Sequence, residues 1–287
     1  MFRRLFIVLA VVFALTAAAF AATGAAAPSA IRIPHRIVSL SPTATESLFA
    51  IGAGKQVIAV DDQSDYPPNA PRTKLSGYTP NVEAIAAYHP DLVVISGDVK
   101  GLRASLRKLG IPTLLQPAAK NLTDAYFQIR QLGVRTGHTR QADRVVASMR
   151  TRIARAVAGA PKRSLTVYHE LTPDYFSAAS RTFIGRVYAL FGLRNSADAA
   201  DTSGSGYPQL SAEYILTANP DVIVLADSRC CGQSAATVAA RPGWNRISAV
   251  RTGTIVRIDD SIASRWGPRV VNFVRGVASA LRSQSGK

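Results

Sequence analysis

The sequence predicts an α/β protein built as two parallel-sheet α/β lobes joined by one long helix. Three observations predict it. Short apolar runs alternate with helical stretches in both halves of the chain. That alternation stops between about 123 and 157, where only helical periodicity is found. A Pro-Asp unit entering an apolar run occurs once in each half, as Pro90-Asp91 and Pro220-Asp221.

The elements follow in order. Arg36–Leu40 is an apolar strand, and Ala44–Ile51 a helix after Ser41-Pro42-Thr43, with Thr43 and Glu46 spaced as a capping box. Val57–Val60 is a second strand. Asp65-Tyr66-Pro67-Pro68 is a loop, because consecutive prolines lack backbone donors. Val82–Tyr88 is a short helix, Leu92–Ser96 a strand, Leu102–Leu109 a helix closed by Gly110, and Ile111–Leu115 a strand. Thr123–Val134 and Thr139–Val157 are helices separated by Gly133 and Gly137. The second has Ala142, Val145, Val146, Met149, Ile153 and Val157 on one stripe and Arg on its other faces. A helix of that length spans roughly 28 Å, the width of a small lobe. Leu165–Tyr168 and Val222–Ala226 resume the strand pattern. The lobes are therefore placed at 36–136 and 163–287, with the linking helix at 137–160.

Residues 1–27 have the form of a cleavable signal peptide: Arg3-Arg4, the apolar run Leu5–Phe20, then small residues through Ala27. Cleavage is expected between about Ala22 and Ser29. A single membrane anchor is the other reading of the segment. No Cys lies there, so a lipidated N-terminus is not expected. The chain has 287 residues, enough for two cored units. It lacks the repeated apolar spans of a polytopic membrane protein.

The formal net charge is +16, and 27 of the 34 basic residues are Arg. Such a balance favours an anionic ligand or surface. No dense basic run with interleaved aromatics points to nucleic acid, and export argues against it. An exported enzyme is the rival class. The sequence has no His-Glu-x-x-His, no Gly-x-Ser-x-Gly and no Gly-Lys-Ser/Thr phosphate loop. The four histidines, His35, His89, His138 and His169, are too scattered for a bare-metal receptor.

The repeat extends upstream. Val82-Glu83-Ala84-Ile85 corresponds to Ala212-Glu213-Tyr214-Ile215, and each Glu stands eight residues before the Asp of its turn. A glutamate in a first helical turn is favoured by the helix dipole alone. The dipole does not explain why the two are equivalent.

The chain resembles the periplasmic substrate-binding proteins of ABC importers for cobalamin, haem and ferric siderophores. The matching pieces are Arg36-Ile-Val-Ser-Leu-Ser-Pro-Thr-Ala-Thr-Glu46, Ser64-Asp-Tyr-Pro-Pro68, Asn81-Val-Glu83 through Ile95, Tyr207-Pro-Gln-Leu-Ser-Ala-Glu213 and Gly267-Pro-Arg269. They occur in the family's order along nearly the whole mature chain. The second and last look most like the cobalamin branch.

The resemblance implies the class III binding-protein fold, no catalysis, and a single polypeptide that delivers a small metal chelate to a membrane permease. It places permease docking on Glu83 and Glu213, and implies a periplasmic or other extracytoplasmic location. The cargo it implies is cobalamin or another corrinoid, with haem or a ferric siderophore as alternatives. Cleft positions implied for ligand binding are Ser41, Gln63, Tyr78, Phe176, Tyr207, Arg265 and Trp266. The chain departs from the cobalamin pattern in offering Gln63 and Ser96 where aromatics are expected. The haem alternative would use Tyr78 and His169 as axial donors. The siderophore alternative would use Arg181, Arg229, Arg265 and Arg269.

Cys230-Cys231 follows a strand, where α/β sheets place ligand loops. In an oxidising compartment the pair is expected to form a vicinal disulfide; free thiols, an intermolecular bridge and soft-metal ligation are the alternatives.

Overall fold

The computed structural model describes residues 32–283; the expected signal peptide at 1–27 lies outside them. The N-terminal lobe comprises β1 (Ile37–Leu40), α1 (Pro42–Ala50), β2 (Val57–Val60), α2 (Val82–Ala86), β3 (Leu92–Ile95), α3 (Leu102–Lys108) and β4 (Thr113–Leu115). Its strands are all parallel, in the order β2-β1-β3-β4. Helices α4 (Leu122–Thr136) and α5 (Thr139–Ala158) follow.

The C-terminal lobe has β5 (Thr166–Glu170), α6 (Phe183–Ala189), β6 (Arg194–Asn195), α7 (Ala212–Ala218), β7 (Val222–Leu225), α8 (Ala235–Ala239), α9 (Ser248–Thr252), β8 (Ile255–Arg257), α10 (Asp260–Ala263) and α11 (Val270–Ser283). Its sheet order, β6-β5-β7-β8, repeats the first and is again parallel. The protein therefore has the class III binding-protein fold: two parallel-sheet α/β lobes.

Strand periodicity explains how each sheet is buried on both faces. In β3, Leu92 and Val94 join one apolar cluster while Val93 and Ile95 join another. In β7, Val222 and Val224 go to the first cluster, and Ile223 and Leu225 to a third. Successive side chains of a strand point to opposite faces. A strand covered on both sides must therefore be apolar throughout. The shared cluster runs from Ile37 and Leu48 through Met149 and Ile153 of α5 to Val274 and Leu281 of α11, so one continuous core underlies both sheets.

The repeat seen in the sequence is a repeat of structure. Asp91 accepts from the backbone N–H groups of His35 and Arg36 at 2.7 and 2.8 Å, fixing the entry to β1. Asp221 accepts from the Thr166 N–H at 2.9 Å, fixing the entry to β5. Each turn also has one residue at positive φ, His89 at 47° and Asn219 at 42°.

Two local expectations are corrected. Helix α1 starts at Pro42, and its cap is Ser41, whose side chain accepts from the Ala44 N–H at 3.3 Å. Proline suits the first helical position, where its missing N–H costs nothing. Glu46 therefore falls outside any capping box and is buried with 3% exposure.

Candidate functional site

The loops after β2, β7 and β8 meet, so the carboxyl ends of strands from both lobes face a common space. Open parallel sheets place ligands at this end. A polar pocket of about 450 Å³ lies there, lined by Asp62, Gln63, Asp65 and Arg72 from the first lobe and Arg229, Cys230, Asp260, Ser261 and Arg265 from the second.

The floor of this contact is an ion-pair network between lobes. Arg265 donates to Asp65 at 2.7 Å, to Glu46 at 3.0 Å and to the Gln63 carbonyl at 2.8 Å. Arg269 reaches Glu46 at 2.5 Å and lies 4.1 Å from the centre of the Tyr66 ring. Arg229 and the Ser261 hydroxyl approach Asp65 at 3.5 and 3.3 Å. The Ser64–Pro68 and Gly267–Arg269 segments therefore touch, one from each lobe. Burial opposes the charge on Asp65, but the Arg265 guanidinium and the Ser261 hydroxyl hold its carboxyl below the ordinary value.

Beneath the C-terminal rim lies a second buried cluster. Arg241 binds Glu170 through both oxygens at 2.6 Å and Gln233 at 2.7 Å, with its guanidinium 4.5 Å from the Trp244 ring centre. Asp227 is fully buried, and among the described residues no donor side chain is within hydrogen-bond reach of its carboxylate oxygens. Burial and the adjacent Glu170 charge push its carboxyl up to about 7. Cys230 and Cys231 are joined by a disulfide, and their loop is pinned to the Asp227 carbonyl by the N–H groups of Cys231 and Gln233 at 3.2 and 3.5 Å.

The expected cleft residues separate into two groups. Gln63 and Arg265 line the pocket. Tyr78, Phe176 and Tyr207 are 79%, 37% and 49% exposed, on loops at the carboxyl ends of the sheets. Gly77, beside the Leu40 carbonyl, holds Tyr78 at the end of β1. Phe176 pairs with Gln209, which brings it close to Tyr207 beyond β5 and β6.

Three of the expected residues are engaged elsewhere, Ser41 and His169 fully inward and Trp266 in part. Ser41 is 2% exposed and spent on capping α1. Trp266 packs on the shared core and Phe183, and its indole N–H donates to Gln128 at 2.8 Å. His169 is fully buried, bonded to the Tyr188 hydroxyl at 2.5 Å and packed near Phe273. Burial pushes its imidazole down to about 3. It has no open path to a cleft ligand, which removes the expected haem donor from the second lobe. Of the arginines, Arg181 pairs with Asp201 at 3.1 Å, away from the interlobe pocket.

Glu83 and Glu213 are both exposed in the first turns of α2 and α7. The caps, Asn81 and Ser211, accept from the N–H groups of Ala84 and Tyr214 at 2.7 and 3.1 Å. In each helix one isoleucine, Ile85 or Ile215, is the buried anchor. Its own backbone N–H and the Ser211 hydroxyl hold the Glu213 carboxyl below its ordinary value.

Glu46, Asp65 and the Glu170–Asp227–Arg241 cluster were not singled out for the site by sequence reasoning. The available signal was Glu46 itself, a carboxylate within an apolar helix face, which must find a cation when buried.

Comparisons with known proteins agree with this architecture. The family model described as "Periplasmic binding protein" matches residues 37–262. A cobalamin-binding protein of Halobacterium salinarum is 31% identical over 260 residues, covering 87% of this chain and 70% of that one. The solved vitamin B12-binding protein BtuF of Vibrio cholerae superposes with a TM-score of 0.74 at 25% identity, over 88% of this chain and 99% of that one. The haem-binding protein RhuT of Roseiflexus sp. RS-1 gives the same TM-score, 0.74, at 25% identity, over 88% and 99%. With a duplicated two-lobe fold, strand ends meeting across a polar pocket and the family pattern spanning both lobes, the chain belongs to the periplasmic binding protein family.

Proposed function

We propose that the protein captures cobalamin or a related corrinoid between its lobes and delivers it to an ABC permease, without catalysing a reaction. The observation that carries the cargo reading is the exposed aromatic set Tyr78, Phe176 and Tyr207 at the carboxyl ends of the two sheets. Flat apolar rings suit a large planar chelate, and the Halobacterium relative is a cobalamin-binding protein. Gln63, Arg229 and Arg265 would meet polar groups at the ligand's edge. Burial of His169 weighs against haem held by axial donors from both lobes.

Delivery is assigned to Glu83 and Glu213. Exposed charges at an interface give register and encounter rate more than affinity, so the pair suits a transient contact with permease cations. The site of action is outside the cytoplasm, with the 1–27 segment directing export.

Uptake of labelled cobalamin in cells depending on this protein tests the reading. Glu83→Arg with Glu213→Arg should abolish uptake while leaving the purified protein's affinity for cobalamin unchanged. Normal uptake by the double variant, or a matching loss of affinity, would refute the docking role.

A further inference from the structure

The net charge of +16 is not absorbed by the interlobe pocket, where Arg229 and Arg265 are answered by Asp65, Asp259 and Glu46. The unanswered charge concentrates elsewhere. Helices α5 and α11 pack side by side and together hold seven arginines against one acid, Asp143. Asp143 is taken by Arg130 at 2.8 Å. Between the helices lies a groove of about 360 Å³, walled by Arg152, Arg155, Arg275 and Arg282 and floored by Ala156 and Ala278. All four arginines are exposed, and among the described residues none has a carboxylate partner.

Packing of the two helices does not require this. Both helices turn apolar faces into the shared core, Val146, Met149 and Ile153 from α5 and Val274, Val277 and Leu281 from α11. Exposed helix positions are filled equally well by Glu or Gln, and like charges three or four residues apart oppose helix formation. The alanine floor leaves room between the guanidinium groups, and the planar guanidinium fork matches phosphate oxygens two at a time. Arg275 and Arg282 stand about 10 Å apart along α11, farther than a single phosphate reaches.

We propose that the α5–α11 groove is a second binding site, for anions carrying several phosphate groups, either linked in a chain or presented side by side as lipid headgroups. It does not depend on what the interlobe pocket carries.

The test is calorimetric titration of the full chain with tripolyphosphate at low and moderate salt, with co-sedimentation on phosphatidylglycerol and phosphatidylcholine vesicles. The groove variant is Arg155→Gln with Arg282→Gln. The control is Arg107→Gln with Lys108→Gln, an equal loss of charge on α3. Wild type should bind, more weakly as salt rises, and the groove variant should bind about tenfold less tightly or worse. The control should stay within about twofold of wild type, since removing remote charges changes only the screened long-range field. Binding to tripolyphosphate alone identifies free phosphate as the source, and binding to phosphatidylglycerol vesicles alone identifies headgroups. Absence of both, or an equal loss in the control, overturns the site. Retained melting temperature and circular dichroism in both variants exclude misfolding as the cause.

Discussion

At the scale of single residues, Glu46 and Arg265 decide how the lobes meet. Their side chains are 1% and 12% exposed, so neither charge is left to water. Removing one partner of a buried pair strands the other, at a cost of about 3–5 kcal/mol. Glu46→Leu, which leaves the 15%-exposed Arg269 without its ion-pair partner and takes one from Arg265, should therefore lower unfolding stability by that amount in a denaturant titration. A loss of only about 0–1 kcal/mol, as for an exposed pair, would contradict the assignment. Asp227 supplies a pH prediction. Its carboxyl is raised from 3.8 to about 7, so its contribution to stability is full below the ordinary value and is lost as pH rises through 7. Buried His169 acts oppositely, with its contribution present above its ordinary 6.5 and lost as pH falls toward about 3. Asp227→Asn removes only the first effect. Its melting temperature relative to wild type should climb from pH 5 to about pH 7 and level off above that, and a constant difference from pH 5 to 7 would show that Asp227 does not titrate there.

At the scale of elements, α4 and α5 are held close by Gly133. A Cβ at that position would stand 2.4 Å from the Ala142 Cβ across the helix pair. Gly133→Val should destabilise by about 1–3 kcal/mol through overpacking, whereas Val134→Ala on the exposed neighbour should stay within about 0.5 kcal/mol. Equal effects in chemical denaturation would contradict the close approach. The elements were readable from sequence where a local signal sets them. β2 runs Val57–Val60 as expected, and α5 begins at Thr139, because apolar periodicity and glycine punctuation are local. The interlobe contact was not readable. Arg265 and Asp65 lie 200 residues apart, and no local pattern pairs them. Ser41 misled because a strand-end loop and a helix cap both call for a small hydroxyl residue. His169 misled because position near the end of a strand says nothing of which way a side chain turns. The paired glutamates were readable because duplication printed the same spacing twice.

At the scale of the whole molecule, the two sheets share one core through α5 and α11, and the ion pairs of Glu46 and Asp65 close the same junction from the cleft side. A continuous helix and a shared core resist large lobe rotation, so cargo is expected to enter with little hinge motion. The most direct measurement is a calorimetric titration of the purified mature protein with cyanocobalamin, run beside haemin and a ferric hydroxamate. The account predicts saturable one-to-one binding of cobalamin at micromolar affinity or tighter, weakened by Tyr78→Ala with Tyr207→Ala. Silence with cobalamin while haemin or the hydroxamate binds would contradict it.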